Sequence, residues 1–200
     1  LAAQCLAPLC ERYDIELRCH LVRGPSGHNA VEPELLATLS RYDSHLVAPA
    51  YRLNFPQHDA PPASESVSLA SRLLAGLDNR AFLTHAAAIG EALWSGDHQA
   101  LTELETSLGS VSPEAAAQRV EEGTARREDM GHYSAAMLYY AGEWYWGVDR
   151  LYHLEQRLAA LGADRRAGQA LIAPRPEIEH GPGRDNGSLT LEVFPSLRSP

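Results

Sequence analysis

The feature that most constrains the fold is the change of pattern at Gly131. From Ser64 to Asp129 the apolar residues recur at helical spacing, whereas "AMLYY" and "EWYW" downstream are short, aromatic, β-favouring runs separated only by Ala141-Gly142. A hairpin is expected there, with Ala141-Gly142 as its turn. A long helical block followed by a hairpin and one more helix places the chain in the α/β class with an all-helical insertion.

Local signals set the boundaries of the helices. Ser64 to Leu77 reads as one, and Asn79 to Ser95 as the next, with Phe82, Ala86, Ile89 and Leu93 on one face. Asp97 caps a helix to Leu108, and Ser112 followed by Pro113 opens another. Beyond the hairpin, Leu151, Leu154, Leu158 and Leu161 share a face, Asp149 lies in the first turn, and Gly162 is the stop.

The beginning of the chain adds a helix with Leu1, Cys5, Leu6 and Leu9 in a stripe. After it comes "DIELRCHLV", whose alternating Ile15, Leu17, Cys19 and Leu21 predict a half-buried strand. "RGPSGHNAVEP" is a loop, the stretch from Glu32 to Phe55 is mainly helical and stops before Pro56, and "PQHDAPPAS" is a second loop. Residues 163–187, with "APRP" and "HGPGRDNGS", read as a linker, and "LTLEVF" beyond them alternates like a new strand. Leu1 lies inside a helical pattern with no Met before it, so the chain is expected to be a fragment.

A net charge of −9, with seventeen basic residues scattered rather than clustered, argues against nucleic-acid or anionic-membrane partners. No run approaches the ~20 apolar residues of a membrane span. Cys5, Cys10 and Cys19 form no C-x-x-C and read as idle thiols in a reducing compartment, hence a cytoplasmic expectation. The nine histidines show no H-E-x-x-H and no i, i+4 pair, so no metal is expected, and neither a phosphate loop nor a G-x-S-x-G is present.

The words at the two ends of residues 1–162 carry a resemblance. "LAAQCLAPLCERYDIELRCHLV" looks like the first helix and second strand that follow a Ser-Pro active-site turn, and "GHYSAAMLYYAGEWYWGVDRLYHLEQRL" like a closing hairpin with a Trp-Gly-x-Asp-Arg-Leu motif. They resemble the DsbA-like thioredoxin-fold proteins, in particular 2-hydroxychromene-2-carboxylate isomerases and kappa-class glutathione transferases. The resemblance implies a thioredoxin-like fold built from about 1–25 and 131–162, an inserted all-helical subdomain over about 31–130, and a first strand that the fragment lacks. "LTLEVFPSLRSP", within 188–200, is similar to the first strand and Ser-Pro turn of a second such domain.

The resemblance further implies glutathione as cofactor, a small-molecule or thiol substrate, and isomerase or oxidoreductase chemistry at full length. Asp149 would receive the glutamyl end of glutathione with Arg150 beside it, Trp146 would be core or pocket wall, and Ala135 would offer its backbone to the cysteinyl part. Ser199 is the candidate thiol-orienting residue of the second domain, since a hydroxyl at a helix N-terminus favours a neighbouring thiolate. One departure stands out: Ala136 occupies the position of the family's cis-proline, and a non-proline bond there is expected to be trans. That loss supports the alternative of a catalytically silent domain serving as scaffold, as a homodimer or paired with the second domain. An exposed sheet edge is expected where the first strand is missing.

Overall fold

Short-range signals produced most of the observed elements. In the computed structural model, residues 1–25, 30, 32–57, 60–177 and 192–193 are described. Along the chain run α1 (Ala3–Arg12), α2 (Pro33–Ala50), α3 (Ser64–Gly76), α4 (Asn79–Trp94), α5 (His98–Leu108) and α6 (Pro113–Asp129). Strands β1 (Met137–Tyr140) and β2 (Glu143–Trp146), a 3₁₀ turn (Val148–Arg150) and α7 (Leu151–Ala160) follow. The protein is thus mixed α/β, mostly helical, with a two-stranded antiparallel sheet among the described residues.

The caps act as expected. Asp97 accepts from the Ala100 N–H at 2.9 Å and Ser112 from the Ala115 N–H at 3.2 Å, each satisfying a donor that the first helical turn leaves free. Asp78 does the same for α4 through Ala81 at 2.8 Å. Arg72 of α3 then ties down the α5–α6 connection, donating to the Val111 carbonyl at 2.8 Å and to Glu105 at 3.0 Å.

Two hydrophobic cores result. Leu69, Leu73, Ile89, Ala92 and Leu101 fill the centre of the helical block, α3 packing on α4, α5 and α6. The other core joins the two ends of the chain: Cys5, Leu9 and Tyr13 meet Tyr145, Val148, Leu151, Leu154 and Leu158, with Tyr51 and Ala173 closing it. α1, which also packs on α4, connects the two.

Two expectations are corrected. No strand forms over "DIELRCHLV", although Ile15, Leu17 and Cys19 are half-buried while Glu16, Arg18 and His20 are exposed, as a strand would have them. Among the described residues no strand runs alongside it, and its backbone is held by side chains instead: the Cys19 N–H by Asn79 at 3.1 Å and the Arg23 N–H by Thr124 at 2.9 Å. Arg127 of α6 completes the fixing by donating to the Arg23 carbonyl at 2.8 Å.

Residues 163–177, expected to begin a linker, are docked on the core. Asp164 pairs with Arg12 at 2.9 Å, both side chains buried, and Arg12 also donates to the Gln169 carbonyl at 3.0 Å. Glu155, fully buried on α7, accepts from the Tyr13 hydroxyl at 3.1 Å and from the Ile172 and Ala173 N–H groups at 2.8 and 2.9 Å. Gly162 and Gly168, at φ 80° and 87°, mark turns in a fixed segment whose anchors lie on α1 and α7. Of residues 188–200, expected to open a second domain, Glu192 and Val193 are described, both exposed; Ser199 and the others lie outside the described residues.

Candidate functional site

The hairpin positions the residues singled out at its far end. Ala141 (φ 46°) and Gly142 (φ 91°) make a turn of two left-handed residues, which matches strand twist, and β1 pairs with β2 in the register Met137↔Trp146, Leu138↔Tyr145, Tyr139↔Trp144, Tyr140↔Glu143. The pairing continues one step further, the Gly147 N–H donating to the Ala136 carbonyl at 3.1 Å. Ala135 and Ala136 are thereby held beside Trp146 and Gly147, directly ahead of Asp149 and Arg150.

Gly147 is required there, because its φ is 67° and a Cβ would lie 3.1 Å from Asp149 Oδ1. The Asp149 carboxylate and the Arg150 guanidinium pair with each other at 3.2 Å, each about half exposed. Beneath them lies Tyr51, buried in the core, whose hydroxyl pKa is raised by burial first and by the Asp149 charge next. All peptide bonds of the described residues are trans, the Ala135–Ala136 bond included, and Ala136 sits in the left-handed region with φ 55°.

Trp146 is 55% exposed and is therefore wall rather than core. The aromatic run as a whole departs from the expected burial: Tyr145 is buried, whereas Tyr139 and Trp146 are exposed on the opposite face of the hairpin, and Tyr140, on the face of Tyr145 but beside the turn, is exposed with the Arg157 guanidinium 5.0 Å from its ring. Trp144 is half-buried, its ring 4.9 Å from His132 and 4.8 Å from Tyr139, with its indole N–H donating to the Met130 carbonyl at 3.3 Å.

A shallow cavity of about 440 Å³ opens against this wall, lined by Glu143, Tyr145, Trp146, Arg150, His153 and Arg157 among others. Arg157 reaches Glu143 at 2.6 Å and the Tyr145 hydroxyl at 3.1 Å, while that hydroxyl donates to Glu143 at 2.7 Å. The Tyr145 bond, followed by the Arg157 charge, holds the Glu143 carboxyl below its ordinary range. Burial raises the Tyr145 hydroxyl. Glu143 and Arg157 were not singled out by sequence reasoning, yet a signal existed: Arg150, His153 and Arg157 fall at i, i+3 and i+7, a basic stripe running from the 3₁₀ turn along α7.

None of the three cysteines supplies a ready thiolate. Cys5, Cys10 and Cys19 are free, and burial raises the pKa of each, to about 11 for Cys5 and Cys19. No group of three or more His, Cys, Asp or Glu side chains among the described residues could hold a metal ion. No helix among them is long and apolar enough to cross a membrane.

No protein-family model, curated protein or solved structure matches the chain.

Proposed function

We propose that the chain is most of a thioredoxin-like domain with an inserted helical subdomain, of the DsbA-like, glutathione-dependent isomerase or transferase kind, acting on a small organic substrate. The observation that carries this reading is the exposed Asp149–Arg150 pair beside the backbone edge at Ala135 and Ala136. The glutamyl end of glutathione carries an ammonium and a carboxylate side by side, and an adjacent acid and base are its charge complement. Opening a half-exposed pair of this kind costs no more than about 1 kcal/mol, so the two side chains can exchange each other for the ligand. Arg157 adds positive charge along the same wall. The reacting thiol is glutathione's own, in keeping with the raised cysteines, and Ser199 is the group that would orient it in a second domain.

A second reading, a catalytically silent scaffold, is favoured by Ala136. Its carbonyl is already taken by the Gly147 N–H, and its backbone is turned into the left-handed region. Glutathione titration followed by Trp fluorescence separates the two, since Trp146 is exposed on the cavity wall. A saturable change that Asp149→Ala weakens at least about tenfold supports binding. No response, or an equal response from Asp149→Ala, removes the glutathione reading and leaves the scaffold.

A further inference from the structure

α2 is the least supported helix among the described residues. Every residue from Glu32 to Ser40 is exposed, and Ala48 is its only buried residue. Its N-cap, Glu32, has φ 54° and accepts no capping bond through its side chain. Helices owe most of their stability in water to an apolar face packed on something else. α2 has such a face and turns it to solvent: Leu35, Leu39, Tyr42 and Leu46 are 57%, 49%, 61% and 59% exposed.

Their spacing of four, three and four residues is that of the a and d positions of a helix pair, at which each side chain can enter a hole made by the same positions of a facing helix. Leu36 widens the stripe, and at its far end His45 and Phe55, 4.9 Å apart, carry it toward the exposed Trp94.

We propose that this face is a dimer interface, and that its occupant is α2 of a second copy, paired about a two-fold axis near Leu39 and Tyr42. The five exposed residues of the stripe present on the order of 500 Å² of mostly apolar surface, so two copies cover at most about 1,000 Å², the lower bound for a specific interface. Charge permits the approach: the chain carries −9, but α2 holds Glu34 and Asp43 against Arg41 and is nearly neutral. The regular seam is what selects a second copy, because it is its own complement.

Sedimentation velocity across the micromolar range tests this on the full chain. Wild type is expected to show a monomer–dimer equilibrium, and Leu39→Glu/Leu46→Glu to remain monomeric with unchanged near-ultraviolet circular dichroism. The milder Leu39→Ala/Tyr42→Ala is expected to weaken the dimer at least about tenfold while favouring the helix itself. Amide exchange adds a local readout: protection of residues 33–40 rises with protein concentration in wild type and stays flat in Leu39→Glu/Leu46→Glu. A wild type that is monomeric throughout, or a dimer that both variants leave intact, overturns the proposal.

Discussion

Single atoms decide several positions. A Cβ on Gly123 of α6 would fall 2.0 Å from the Leu21 carbonyl oxygen, backbone that side-chain rotation cannot move. Gly123→Ala is therefore expected to cost about 2–3 kcal/mol in urea unfolding, whereas Gly90→Ala, with nothing within 4 Å of the added carbon, should gain up to about 1 kcal/mol from helix propensity. Glu155→Ala removes the acceptor of three donors at once, two of them backbone, and is expected to cost on the order of 3 kcal/mol. Asp164 sets a pH dependence. The bond from Arg12 holds its folded-state carboxyl below the ordinary value, so its contribution is fully present above roughly pH 4 and is lost as pH falls through the lowered folded value. Urea midpoints from pH 7 downward should fall less steeply in Asp164→Asn than in wild type. At this scale the sequence was readable where a residue acts on its neighbours, as Asp97, Ser112 and Pro113 do. It was silent on Gly123 and Glu155, whose partners are distant in the chain.

Elements behave likewise. The hairpin was legible because its turn is local, and the turn also shows where it can be improved. Ala141 occupies the left-handed region at φ 46°, a conformation that Asn tolerates better, so Ala141→Asn is expected to raise stability by about 0.5–1 kcal/mol, measurable as a higher melting temperature. "DIELRCHLV" shows the opposite case. Its alternation correctly gives which side chains turn inward, but alternation cannot say whether a neighbouring strand exists to make a ladder, and side chains of α4 and α6 hold it instead. The candidate site divides in the same way: Asp149, Arg150 and Trp146 could be found from one short motif, whereas the Glu143–Tyr145–Arg157 cluster needs a strand and a helix brought together in space. Residues 163–177 look like spacer because their composition is that of a loop, and only the buried Asp164 and Ala173 reveal that they belong to the folded unit.

At the scale of the whole molecule, one core is closed within the α3–α6 block while the other draws on both ends of the chain. Ending the chain after Gly162 removes Ala163, Ile172 and Ala173 from the second core and takes away Asp164 and the Gln169 and Ala170 carbonyls, which bind the Arg12 guanidinium. Such a truncation is expected to lower the melting temperature and broaden the transition, as the helical block outlasts the terminal core. The Arg12–Asp164 pair, which spans 152 positions, also bears on how the protein is made. At about 5–20 residues per second, a ribosome delivers Asp164 roughly 8–30 s after Arg12. During that interval the sticky face of α1, with Cys5 and Leu9, has emerged without its destination, although the segment that becomes the helical block can already collapse on itself. Nascent chains of this protein are therefore vulnerable to mispairing at α1, and chaperones that hold exposed apolar segments are expected to crosslink to α1 on stalled ribosomes until α7 and residues 164–173 have cleared the exit tunnel.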